Sequence, residues 1–197
     1  MKQEARRQQT TRRLLEAAKA LIAEKGCQAI TMQDIMSRSG MSKGAIFHYV
    51  KSKNEIFVWV LQERLEETNA SFMNEVEQGR RTFDEPMRTI GDSIVAYENP
   101  QDVTNKVLLY LLGKEDDPMV AEALRQYYER SVQLSQTWIE TGQRYGVIPA
   151  TVDADKAGDL FTLMTLGLRI RSSIPQAQTS FKGEDLTAFI RDILTRG

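Results

Sequence analysis

The segment Gly40-Met41-Ser42-Lys43-Gly44-Ala45-Ile46-Phe47-His48-Tyr49-Val50-Lys51-Ser52-Lys53 brings two glycines, three lysines, two serines and the only histidine of the chain into fourteen residues. Ammonium groups and hydroxyls at this density suit phosphate oxygens, and a histidine and lysine beside glycine and alanine suit the edges of bases. Thr31, Ser42, Tyr49, Lys51 and Lys53 are the expected phosphate contacts, which fix register without reading sequence. Lys43, Gly44, Ala45 and His48 are left for the floor of a groove. There Lys43 donates to guanine, Ala45 meets a thymine methyl, Gly44 permits close approach, and His48 donates or accepts according to tautomer. The ring and hydroxyl of Tyr49 serve equally for packing on the preceding helix. Catalysis is the poorer reading, because His48 has no second histidine and no nearby nucleophile except Cys27. Cys27 stands alone, which excludes an internal disulfide and, with one histidine, a Cys/His metal cluster. It is read as a small apolar filler, with a redox sensor as the alternative. No cofactor and no metal are expected.

The elements that position these residues read as helices throughout, so the fold class is all-α. Leu14, Leu15, Ala18, Leu21 and Ile22 make one face of a first helix that Gly26 ends. Thr31-Met32-Gln33-Asp34 has the Thr-x-x-acid form that opens a second, short helix, closed by Ser39-Gly40. Ser42 caps a third, which runs toward Lys51-Ser52-Lys53, where a long helix begins that ends near Gly79. Ile35, Met41, Ile46 and Val50 pack the two short helices together. Two short helices around a glycine turn, the second rich in outward polar residues, describe a helix-turn-helix. Charge agrees: residues 1–53 hold eleven Lys and Arg against four Asp and Glu, a net +7, while the remainder holds fifteen against twenty-three, a net −8. A basic head on an acidic body points to nucleic acid, although a solvated basic helix also satisfies the charge alone.

TRRLLEAAKALIAEKG followed by ITMQDIMSRSGMSKGAIFHYVKSKNEIF resembles the N-terminal domain of TetR-family transcriptional regulators over residues 10–58. Helix length, turn glycine, aromatic cluster and Lys-x-Lys fall in that family's order. Phe47, which belongs with the DNA-contacting set, stands where the family commonly has tyrosine, and Met36 where a small residue is usual. The resemblance implies a DNA-binding domain at residues 1–55 and an effector-binding and dimerisation domain at 56–197, with double-stranded operator DNA and a second copy of the chain as partners.

In the body, Asp84-Glu85-Pro86 opens a helix with an N-cap candidate, a helix runs from about Pro118 to Tyr145, and Asp153 opens an apolar helix, AGDLFTLMTLGLRI. Gly158 and Gly167 in it allow another helix to approach, and a final helix carries Leu186, Phe189, Ile190, Ile193 and Leu194. These last two helices suit a four-helix dimer interface, or else close the core of one chain. Met87, Tyr97, Tyr110, Tyr128, Trp138, Phe161 and Met164, with Tyr127 beside them, supply the wall of a pocket for a small, mostly apolar effector. Ser131, Ser135, Thr162 and Thr165 offer polar contacts, and ordinary core packing is the competing role for each large side chain. No run of about 18 apolar residues offers a membrane span. The polar start MKQEARRQQTTRR has no signal core, so the cytoplasm is expected. The functional expectation is a one-component, ligand-released homodimeric repressor. The alternatives are an effector-independent architectural DNA-binding protein and a small helical enzyme, for which no Gly-rich phosphate loop or histidine constellation exists.

Overall fold

A computed structural model of the chain describes residues 2–78 and 82–196, with side chains from Arg7 onward in the first helix. The described residues form α1 (Lys2–Ala29), α2 (Met32–Ser39), α3 (Lys43–Phe47) and α4 (Lys53–Glu77). They continue with α5 (Asp84–Ala96), α6 (Val103–Leu112), α7 (Pro118–Arg144), α8 (Ala154–Ser172) and α9 (Gly183–Arg196). All regular structure in them is helical, as the apolar spacing implies. They fall into two compact units: residues up to Glu63 with Gln101–Leu124, and Arg64–Pro100 with Arg125 onward, so that α4 and α7 are divided between the two.

In the N-terminal unit the stripe Leu14, Leu15, Ala18, Leu21 and Ile22 is buried together with Ile35, Ile46, Val50, Phe57, Leu108 and Leu111. Gly26 breaks the first helix as expected. Its φ of 72° and ψ of 163° lie where only glycine is comfortable, and one further turn, through Cys27, follows the break. The capping box of α2 is present in both directions: Asp34 N–H donates to Thr31 Oγ1 at 3.2 Å, and Thr31 N–H donates to the Asp34 carboxylate at 2.9 Å. Gly40 closes α2 in the left-handed region at φ 65°. The third helix is shorter than its sequence suggests, ending at Phe47 because the amides of Tyr49 and Val50 both turn back onto the Ile46 carbonyl.

The C-terminal unit packs Met87, Ile94, Ile139, Ile148, Phe161, Leu168, Leu186, Ile190 and Leu194 into one core. Helix α5 lies closely on α9: a Cβ at Gly91 would meet Thr187 Cγ2 at 2.8 Å, and one at Gly183 would meet Val95 Cα at 3.1 Å. Gly158 admits α7 in the same manner, with Gln136 Cγ 2.9 Å from the position of an added Cβ. Gly167, expected to act similarly, has nothing within 4 Å, because that side of α8 faces outward. Asp84 is a second correction: Phe83 occupies the N-cap position without a side-chain bond, since Asp84 is already helical and the Thr82 hydroxyl goes to Glu85. Gly79, where the long helix was expected to end, lies outside the described residues, and α4 is helical to Glu77.

Candidate nucleic-acid interface

Two contacts lock α2 against α1 at its ends. Arg38 grips the Glu24 carboxylate with both guanidinium arms, at 2.9 and 2.6 Å, and Lys25 Nζ sits 3.0 Å from Asp34. The Asp34 carboxyl is held well below the ordinary carboxylate range, first by the Thr31 hydroxyl and amide and then by Lys25. Arg13 Nη2 donates to the Ser39 carbonyl at 2.8 Å, which steadies the turn leading to α3. Sequence spacing gives no hint of this role for Arg13, because its partner lies 26 residues away.

On that frame α3 is fastened only by its apolar side. Ile46 is 0% and Val50 1% exposed, while Lys43, Gly44, Ala45, Phe47 and His48 face outward. Ser42 accepts the Ala45 amide at 3.3 Å, so its hydroxyl proton is available to a phosphate. Thr31 is exposed, but its hydroxyl donates to Asp34 at 2.6 Å. The Tyr49 ring is half-buried and stands edge-on to His48 at 5.2 Å. Lys51 is exposed.

Lys53 has a different environment. Its ammonium donates to the carbonyls of Cys27 at 3.0 Å, Gln28 at 3.3 Å and Ile30 at 2.7 Å, capping the broken end of α1. It also lies 5.3 Å from the Tyr110 ring centroid and 5.9 Å from that of Phe57. Burial lowers its pKa, and burial raises the neighbouring Cys27 thiol to about 11.

Each of the residues expected to line a pocket has neighbours of its own. Tyr110 belongs to the N-terminal unit, edge-on to Phe57 at 5.4 Å. In the C-terminal unit Met87 and Phe161 are core members with Met164 against them. Trp138 stacks on Phe72 at 5.1 Å and donates to Asn69 at 3.0 Å, and Tyr128 donates to Asp159 at 2.7 Å. Tyr97 is buried under the Arg169 guanidinium, 4.7 Å from its ring, and the same arginine reaches the Tyr127 hydroxyl at 2.5 Å. Arg169, only 3% exposed, is a residue that the sequence reading left out of the body's polar contacts. The hydroxyls of Ser131, Ser135 and Thr162 donate to carbonyls of their own helices. A groove of about 570 Å³ between α5 and α9 is charged instead, with Asp84, Arg88, Asp92, Glu184 and Arg191 around Thr187.

A short capped helix, a left-handed glycine turn and a second helix with its polar side uncovered define a helix-turn-helix DNA-binding head. Residues 14–59 match the bacterial regulatory proteins of the tetR family. A segment of 54 residues is 37% identical to an uncharacterised HTH-type transcriptional regulator, YfiR, of Bacillus subtilis, covering 27% of this chain and about a quarter, 26%, of that protein. Over 147 residues the chain is 24% identical to the HTH-type transcriptional repressor KstR2 of Rhodococcus jostii, covering 73% and 70% of the two. The fold of the whole chain is that of a regulator from Saccharomonospora viridis solved in complex with choline, at a TM-score of 0.63 and 22% identity over 96% and 97% of the two chains. Residues 14–59 thus form a head of the tetR-family kind, and the relatives matched are named as transcriptional regulators. No described helix is long and apolar enough to cross a membrane.

Proposed function

We propose that the protein is a homodimeric one-component repressor, with residues 1–55 as the operator-reading head and 56–197 as the body that dimerises and takes a small, mostly apolar effector. The observation that carries this reading is the uncovered side of α3, where Lys43, Gly44, Ala45, Phe47 and His48 face solvent while Ile46 and Val50 hold the helix in place. Dimerisation is supported by apolar side chains that the isolated chain leaves exposed on α8 and α9: Leu160, Leu163 at 57%, Ile170 and Phe189. The similarly folded regulator solved in complex with choline supports a small-molecule ligand. Such a ligand releases DNA if it prefers a body conformation in which the two heads are wrongly spaced.

Sedimentation of the wild type and Leu163→Asp, with enrichment of duplexes from a random pool, tests the reading. The wild type is expected to sediment as a dimer and to enrich a palindrome with half-sites about one helical turn, 34 Å, apart. Leu163→Asp is expected to stay folded, being exposed in the single chain, and to sediment as a monomer. A monomeric wild type at micromolar concentration, or enrichment of no sequence, refutes it. A specific duplex whose affinity no apolar ligand alters leaves the architectural protein in its place.

A further inference from the structure

Of the +7 carried by residues 1–53, five basic residues against one acidic, a net +4, lie before Leu14, where the tetR-family match begins. Between Leu14 and Lys53 most of the positive charge is engaged within the protein. Lys19 pairs with Glu63, Lys25 with Asp34 and Arg38 with Glu24, and the Lys53 ammonium lies among backbone carbonyls. Among the described residues of that stretch Lys43 and Lys51 make no ion pair. Before Leu14, Arg12 is paired with Glu16 and Arg13 bonds the Ser39 carbonyl, while Arg7 is exposed, so the first turns of α1 carry positive charge outside the helix-turn-helix.

Geometry places those turns beside the reading surface. Helix α1 is continuous from Lys2 to the break at Gly26, so about 16 Å of helix extends beyond Arg13. Arg13 is bonded to the Ser39 carbonyl and comes within 3.5 Å of the place a Gly40 Cβ would take. The extension therefore leaves the head at the turn that opens α3. Arg7 is exposed and lies two helical turns before Leu14, so it leaves the helix on the side that further along packs onto the core. Arg12 leaves about 140° around the helix from Arg7 and is paired with Glu16 at 2.9 Å.

We propose that the first three turns of α1 form a second DNA contact, in which Arg7 binds a backbone phosphate flanking the segment read by α3. This rests on the reading of the head as DNA-binding. Arg7 lies about 9 Å along the helix before Arg13, and a contact to a backbone phosphate there carries no sequence information.

The test uses the full chain, a duplex of about 30 base pairs enriched by the wild type from a random pool, and the random pool itself, titrated from about 50 to about 200 mM salt. Arg7→Ala is expected to lower the slope of log affinity against log salt by about 0.9, so that affinity falls about 3.5-fold less across that range, on both duplexes alike. Arg7→Lys restores the slope, and Arg12→Ala keeps the wild-type value. An unchanged slope in Arg7→Ala, or an equal drop in Arg12→Ala, overturns the contact. A wild type that binds neither duplex overturns the DNA-binding reading itself, a result distinct from either of these.

Discussion

Lys53 separates two roles that sequence alone runs together. A lysine at the start of α4, next to a helix-turn-helix, reads as a phosphate ligand, yet its ammonium donates to three carbonyls at the broken end of α1. Lys53→Met keeps most of the stem over Phe57 and Tyr110 and removes only the donors. Hydrogen bonds from a charged group contribute about 1.5–3 kcal/mol each. Two of the three acceptors, the carbonyls of Cys27 and Ile30, are part-buried, while the Gln28 carbonyl is open to water and can be solvated instead. A loss of about 2–3 kcal/mol follows, since the low end of that range applies to a half-buried ammonium and the bonds are not additive. For a chain of this size the loss lowers Tm by about 4–12 °C. Urea and thermal unfolding measure it, and DNA titration at several salt concentrations measures the other role. The expected pattern is a lower midpoint with an unchanged salt slope in the protein that remains folded. Wild-type stability with a slope lowered by about one would refute the carbonyl clamp and return Lys53 to the phosphates.

Three other outcomes can be checked with the same material. His48→Ala is expected to relax preference at one or two operator positions by about 1–3 kcal/mol while binding to random duplex stays within error, measured by titrating single-base operator variants. Gly91→Ala is expected to cost about 1–3 kcal/mol, because its Cβ would stand 2.8 Å from Thr187 Cγ2; urea midpoints decide. The Cys27 thiol is raised from 9.0 to about 11, so it favours the folded state below pH 9 and that contribution disappears as pH rises through about 11. Wild type and Cys27→Ala are therefore expected to converge in stability between those values, and a constant gap across that range contradicts the burial argument.

Much of the head was legible because its signals are local. The Thr31 to Asp34 box, the Gly40 turn and the Ser42 cap each lie within a few residues of the bonds they make, and the structure forms all three. Contacts between residues far apart in the chain left no such trace. Arg13 finds Ser39 across 26 residues and Lys53 finds Ile30 across 23, so the former was unnoticed and the latter read as a surface cation. In the body, helical periodicity located the elements but not the neighbour of each face. Gly158 and Gly167 look alike on the same helix, yet within the chain Gly158 has α7 against it and Gly167 faces outward. The aromatic residues are frequent enough to suggest one pocket, but their number does not name the partners they take: Trp138 is engaged with Phe72 and Asn69, and Tyr97 with Arg169.

The fastening of α3 through Ile46 and Val50 has a consequence for how the head can change over generations. The side chains of Lys43 and Ala45 face outward, His48 stands edge-on to the half-buried Tyr49 ring, and a Cβ at Gly44 would meet nothing within 4 Å. Under the proposed reading, fold and target preference therefore fall on different residues of α3 and the turn that follows it. Under that reading, variation at 43, 44 and 45 can explore new DNA sequences at little cost to the scaffold, so a duplicated copy of this chain can drift toward a new operator one substitution at a time.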